Sequence, residues 1–310
     1  VTVVRPRALV RGSRVAVVAP ASPFRDDDLR AGLGELQALG FEPVVDVRVF
    51  ARDGYQAGPA ELRAAVIEQA LEDPSIDALI GARGGYGSVN VLPLLDRERV
   101  RAARKAIIGY SDLTALLAWV TLGCGLVSFH GPTVAGRLAR GTAGYDRDTF
   151  VRLLTEPTPL GPLEAPGVEV FVRGEAAGPL VGGTLTQLAA SLGTPFAFDP
   201  PAGCVLFVED VNERPYRLDR MLTQLRLAGV LERAAALVFG EMVGCDEPGG
   251  GPAAREVLAR LVSGFPGPVL FGFPSGHARG PAWTLPFGVR VRVRARGTSG
   301  TVIVEEPAVG

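Results

Sequence analysis

Ser111 lies at a point in the chain where a nucleophile could act. Residues 106–117 read AIIGYSDLTALL: an apolar run that predicts a buried strand ends at Gly109, and a helix start follows at Asp112. At the carboxyl end of a parallel strand, a serine in the connecting turn projects its hydroxyl into the usual ligand crevice. The N-terminus of the next helix stabilises negative charge developing there. The order is that of a nucleophile elbow, although the pattern is GxSxx and not GxSxG. Taken alone, the segment more commonly means a serine that only caps a helix.

Residues 81–87, GARGGYG, also follow a predicted strand directly. Four glycines in seven residues permit positive φ and let backbone N–H groups approach an anion. Together with the N–H of Asp112, this turn is a candidate oxyanion hole; the alternative is a tight turn without a ligand. GxGxxG spacing is missing, and so is an acidic residue at ribose distance, which makes it a poor phosphate loop.

Two histidines keep the search for a base short. His277 lies in PSGHARG after a predicted strand over 269–273, and His130 lies in SFHGP after another. On these positions the two are rivals, and a structural hydrogen-bonding role is the ordinary alternative for each. For an orienting acid, residues 204–210 (CVLFVED) form an apolar strand ending in two carboxylates. Alternation groups Val205, Phe207 and Glu209 on one face, with Leu206, Val208 and Asp210 on the other. A glutamate at the end of a buried strand suits an acid that stays ionised and fixes an imidazole tautomer. Glu241, in VFGEM, is a weaker rival, and a solvated strand end is the bland alternative for both.

The elements that must position these groups follow an alternating pattern. Runs at 14–19, 41–47, 76–80, 106–109 and 126–129 read as strands, separated by helical patterns at 26–39, 60–71 and 112–122. That alternation predicts a parallel sheet flanked by helices. A helix is expected over 146–155, and the proline- and glycine-rich stretch 158–166 reads as a linker between domains 1–157 and 167–310. The second half is mixed: helices at 183–192, 215–228 and 253–261, strands at 204–210, 235–239 and 269–273, and a closing hairpin over 289–295 and 301–305.

Composition narrows the functional classes. The chain has 310 residues, 47% of them hydrophobic and 21% charged, with a net charge of -1. That describes a well-packed globular protein without the basic field that nucleic acid or an acidic membrane surface would need. Three cysteines, Cys124, Cys204 and Cys245, lack CxxC spacing and read as reduced thiols of a cytoplasmic protein. With two histidines and no ligand cluster, no metal site is expected. The longest apolar run, 113–127, falls about three residues short of a spanning helix, and the N-terminus is a poor signal peptide.

Several motifs stand in one order: RGGYG, GYSDLTAL, FHGP, GGTLTQLAASLGTPF, FVEDVNERPYRLDRMLTQL, and PSGH followed by LPFG. Together they resemble the LD-carboxypeptidase family of serine peptidases (peptidase family S66), which includes microcin-immunity hydrolases. The resemblance runs from about Val15 to Val293. It implies a flavodoxin-like N-terminal α/β domain with a parallel sheet, and a β-rich, mixed α/β C-terminal domain. It implies Ser111 as nucleophile, Glu209 as acid, His277 as base, and the amides of Asp112 and of Gly84 and Gly85 as the oxyanion hole, with no cofactor. His130 is then a supporting residue. The implied substrate is a small peptide, a murein tetrapeptide losing its terminal D-alanine, and the implied assembly is a homodimer. Arg83, beside the glycine turn, is a candidate for the substrate carboxylate, with a surface salt bridge as its alternative. In the microcin-immunity branch the substrate is an aminoacyl or peptidyl adenylate, and Trp283 is a candidate to stack on its base. A ligand-binding protein without catalysis is the reading from another class. Two departures from the family pattern are Thr184, where Asn is frequent, and Ala278, where Gly or Thr is common.

Overall fold

The computed structural model describes residues 3–310. The chain builds two sheets. The first contains β1 (Arg14–Val18), β2 (Glu42–Val45), β3 (Ala78–Gly81), β4 (Ala106–Gly109) and β5 (Ser128–His130), running parallel in the order β2-β1-β3-β4-β5. All of β3 and β4, and all of β1 except Arg14, is buried. Strands written RVAVV, ALIG and AIIG need that environment, because they carry apolar side chains on both faces.

The second sheet is mixed and eight-stranded. Its members are β6 (Gly161–Leu163), β7 (Glu169–Val172), β8 (Gly174–Thr184), β9 (Cys204–Glu209), β10 (Ala234–Gly240), β11 (Val269–Phe273), β13 (Arg290–Arg296) and β14 (Ser299–Val304). The strands β8 to β11 are parallel; β13 and β7 flank them antiparallel, and β13, β14 and β6 pair antiparallel in turn. One short strand from the second half, β12 (Leu285–Phe287), leaves this sheet and pairs antiparallel with β5 of the first.

The expected architecture, a parallel sheet with helices followed by a mixed β-rich unit, is the one found, and the closing hairpin is β13 and β14. Local detail differs. The helix read over 112–122 is a 3-10 turn (Ser111–Leu113), an α-turn (Thr114–Ala118) and a π-turn (Trp119–Gly123) in succession. The stretch read as a linker carries β6 as an edge strand. β7 and β8 have no counterpart in the sequence reading. In GEAAGPLVGGT, glycine and alanine leave too little side chain to show alternation.

A shared core joins the two sheets. Val17, Ile80, Ile108 and Phe129 of the first pack in one cluster with Val205, Phe207, Ala236 and Val238 of the second. The opposite face of the second sheet, with Leu206, Val208, Leu237 and Phe239, forms its own cluster against the helices Leu185–Ser191 and Pro215–Leu227. The alternation expected in β9 therefore holds, and Glu209 continues the row that faces the shared core. Each fully buried Val or Phe contributes about 1.5–3 kcal/mol, so this shared core holds the two halves together.

All three cysteines are free and buried, and burial pushes the Cys124 thiol up to about 12. Among the described residues no helix is long and apolar enough to cross a membrane.

Candidate active site

The order β2-β1-β3 is a topological switch point, where ligand crevices form beyond the carboxyl ends of the strands. Three connections meet there. Ser22 follows β1, the glycine turn follows β3, and Ser111 follows β4. The Ser22 N–H donates to the Gly84 carbonyl at 3.2 Å, and the Tyr86 N–H donates to Ser22 Oγ at 3.1 Å. A Cβ on Gly85 would stand 2.3 Å from Ser22 Oγ, and one on Gly84 would stand 2.8 Å from the Ser111 Cβ. The two glycines are thus demanded by the close approach of the turn to serines on either side.

Ser111 has φ of 64°, a left-handed conformation that non-glycine residues adopt rarely and at a cost. Tyr110 before it is fully extended, with φ -157°. This abrupt reversal between strand and helix is the geometry of a nucleophile elbow. Among the described residues Ser111 Oγ donates no hydrogen bond, and the N–H groups of Gly85 and Asp112 have no carbonyl partner. An atom beside Ser111 would meet those N–H groups as free donors. Asp112 itself is buried and turned away: its Oδ2 accepts the Ser88 N–H at 2.8 Å, and its backbone carbonyl accepts the Ser88 hydroxyl at 2.5 Å. Burial raises its carboxyl above the ordinary range.

The second sheet supplies the other half. Glu209, 1% exposed, ends β9, and His277 lies in the loop after β11. Glu209 Oε2 takes His277 Nδ1 at 2.8 Å and the His277 N–H at 2.9 Å. Its Oε1 accepts the hydroxyl of Thr184, the residue paired with it in register on β8. Thr184 is in turn held by Thr114, whose Oγ1 accepts the Thr184 N–H at 3.0 Å. Burial alone would raise the Glu209 carboxyl. The hydrogen bond and charge of His277, His130 and the Thr184 hydroxyl outweigh burial and bring it to about 2. Glu209 is ionised at neutral pH and its partner's tautomer is set, with Nε2 of His277 left as the free nitrogen.

The two halves approach through Tyr110, whose ring meets the His277 ring edge-on with centroids 5.1 Å apart. The base thus packs on the residue that precedes the serine, and among the described residues no hydrogen bond joins base and serine. Contacts of this kind commonly tighten only when substrate is bound.

His130 is fully buried, packed between Tyr110, Phe207 and Phe287, with neither ring nitrogen hydrogen-bonded. Burial lowers it to about 4, so it is neutral where the rest of the site works. It supports the loop from behind: a Cβ on Gly276 would stand 2.8 Å from its Nε2 and 2.8 Å from Glu209 Oε2. Glu241, the weaker candidate acid, accepts the Arg279 N–H at 3.0 Å and not an imidazole proton. Arg83 is exposed and donates to the Pro23 carbonyl at 2.8 Å, without the surface salt bridge offered as its alternative. Trp283 is half-buried, edge-on to Phe273 with centroids 5.8 Å apart. Tyr110 and Arg137 were not picked out in the sequence. A tyrosine beside a serine and an arginine in GRLARG carry no local pattern. Among the described residues no group of three or more His, Cys, Asp or Glu could hold a metal ion.

The chain is similar to known proteins over nearly its full length. Residues 15–131 fit the family model of the LD-carboxypeptidase N-terminal domain, and residues 177–293 that of the C-terminal domain. A Streptomyces coelicolor protein is 40% identical over 99% of this chain and 97% of its own length. The murein tetrapeptide carboxypeptidase of Pseudomonas aeruginosa is 33% identical over 89% of this chain and 91% of its own. Among solved structures, the microcin C7 self-immunity protein MccF in complex with glutamyl sulfamoyl guanosine superposes with a TM-score of 0.87, at 25% identity over 99% of both chains. With both domain models matched in order and full-length relatives at this identity, the chain belongs to the LD-carboxypeptidase family.

Proposed function

We propose that this protein is a serine-type LD-carboxypeptidase that releases the terminal D-alanine of a murein tetrapeptide. The observation that carries the reading is the double hold of Glu209 on His277, which leaves one imidazole nitrogen free on a ring that packs against Tyr110, the residue before the strained Ser111. The name of the Pseudomonas relative supplies the substrate class.

His277 Nε2 takes the Ser111 proton as Oγ attacks the scissile carbonyl. The N–H groups of Asp112 and Gly85 receive the oxyanion, each such donor contributing about 3 kcal/mol in well-studied hydrolases. The imidazolium, held by ionised Glu209, gives its proton to the leaving amine and D-alanine departs. Water then attacks the acyl-serine by the same route, with His277 again as base. Apart from the substrate and water, each step uses a group of this chain.

A second reading is hydrolysis of an aminoacyl or peptidyl adenylate, favoured by the whole-chain superposition on MccF. Mass spectrometry of a murein tetrapeptide and of an aminoacyl sulfamoyl adenylate, each incubated with wild type and Ser111→Ala, separates the readings. Loss of one D-alanine with wild type alone supports the carboxypeptidase. Cleavage of the adenylate alone supports the second reading. Cleavage of neither leaves a ligand-binding protein.

A further inference from the structure

Arg137 is a buried cation without an anion. It is 5% exposed, and among the described residues no carboxylate lies within salt-bridge distance of it; the Glu209 carboxylate acts on it only from further off. Three carbonyls take its place. Nη2 donates to Ala278 at 2.7 Å, and Nη1 donates to Gly144 at 2.7 Å and to Gly280 at 3.1 Å. Ala278 and Gly280 belong to the loop that carries His277, whereas Arg137 follows β5 of the first sheet. The guanidinium carbon also lies 5.8 Å from the centre of the Tyr110 ring. One side chain therefore touches both the residue after the imidazole and the residue before the serine.

We infer that Arg137 is a positioning residue, which sets the distance between His277 and Ser111 across the junction of the two sheets. This rests on the serine-hydrolase reading above. Burying an arginine against neutral acceptors is costly, and the fold does not need it to close this junction. The distal part of the loop is already anchored by main chain. The Ala282 N–H donates to Gly144 at 3.1 Å, the Asp146 N–H donates to Ala282 at 3.0 Å, and the Thr284 N–H donates to Thr149 Oγ1 at 3.2 Å. Among the described residues, the hydrogen bonds that run from the first half of the chain to residues 278–280, just after His277, come from Arg137. A planar fork fits that task, since it reaches divergent carbonyls at once. A lysine ammonium keeps the charge and loses the fixed span.

The test uses Arg137→Ala and Arg137→Lys in the full chain, with steady-state kinetics on the tetrapeptide and amide exchange of His277, Ala278 and Arg279. A misplacement of about 1 Å costs on the order of 100-fold, so Arg137→Ala is expected to lose about that much in kcat with KM nearly unchanged. Guanidinium ion added to this variant should restore part of kcat, and Arg137→Lys should stay folded but slow. Exchange at the three amides should accelerate in both variants, while exchange at Ala282 stays put. Wild-type kcat in folded Arg137→Ala, or a loss confined to KM, overturns the inference. If Arg137→Ala does not fold, Arg137→Lys decides by the same criteria. Should wild type cleave no tetrapeptide, the functional reading fails on its own, and the exchange data still judge Arg137: unchanged exchange at all three amides refutes it.

Discussion

A single oxygen of Glu209, Oε2, holds His277 at two points, the ring Nδ1 at 2.8 Å and the backbone N–H at 2.9 Å. The other oxygen is occupied by the Thr184 hydroxyl. The carboxylate thus fixes both the place of the loop and the direction of the imidazole, and while ionised both its oxygens act only as acceptors.

Glu209→Gln should therefore do more than remove a charge. If the amide oxygen replaces Oε2, the amide nitrogen faces Thr184; if the nitrogen does, it opposes the His277 N–H and turns the ring to the wrong tautomer. A comparable acid-to-amide change in well-studied triads lowers kcat by about 10⁴. We expect a loss of that order, with a lower Tm. Turnover within tenfold of wild type would show that Glu209 does not orient the base.

Neither Glu209 nor His130 should set the acid limb of the pH profile near neutrality. Glu209, at about 2, and His130, at about 4, have both reached their working forms well below neutrality. An acid limb in kcat/KM near neutral pH then belongs to neither group, and His130→Asn should leave its midpoint in place. A limb that moves with His130→Asn would assign the proton to His130 instead.

Stability has its own pH signature, from the neighbour of the acid. Asp210 accepts the Thr186 N–H, the Thr186 hydroxyl and the Val211 N–H, yet burial still raises it from 3.8 to about 6. A carboxyl raised in the folded state favours folding when protonated. Its contribution is full below 3.8 and is lost as pH climbs through about 6. Glu209 has the opposite sign: its contribution is full above 4.5 and is lost as pH falls through about 2. Between pH 4.5 and 6 Asp210 contributes a falling slope and His130, lowered from 6.5 to about 4, a rising one, each with a ceiling of about 1.4 kcal/mol per pH unit. Urea denaturation across this window should therefore show stability rising with pH more steeply in Asp210→Asn than in wild type.

Much of this was legible in the sequence because the relevant patterns are local. Apolar runs ending in GYS and in ED marked strand ends, and alternation in CVLFVED put Glu209 on the face that meets the shared core. What stayed hidden depends on long-range contact. β12 pairs with β5 across more than half the chain, and three residues carry no period. His130 and His277 were rivals by position, and burial separated them: one is packed among rings, the other faces Tyr110 and Glu209. Arg137 became visible only once its carbonyl partners were assembled around it.

The glycine turn gives a steric prediction. In Gly84→Ala the new methyl would lie 2.8 Å from the Ser111 Cβ, 3.0 Å from Ser111 Oγ and 3.4 Å from the Asp112 nitrogen. The turn must back away from the serine, which widens the space between the two candidate oxyanion donors. Losing one such donor costs about 10²–10³ in kcat, and we expect Gly84→Ala to fall in that range with wild-type KM within a few-fold. Undiminished kcat would place the oxyanion elsewhere.

Ser111 offers the sharpest separation of activity from stability. Its left-handed backbone, φ 64°, is strained for any residue with a Cβ. Ser111→Ala keeps that strain and removes the hydroxyl, so it should abolish turnover and leave Tm nearly unchanged. Ser111→Gly removes the hydroxyl and also the strain. It gives back some unfolded-chain entropy, and where the native φ is positive the net gain is about 0.5–1 kcal/mol. For a chain of this size that corresponds to a rise in Tm of about 1–2 °C. The expected order is therefore Ser111→Gly above wild type and Ser111→Ala in Tm, with both variants inactive. A glycine variant less stable than the alanine one would mean that the elbow is unstrained, and the conformation of Ser111 would then need a cause other than catalysis.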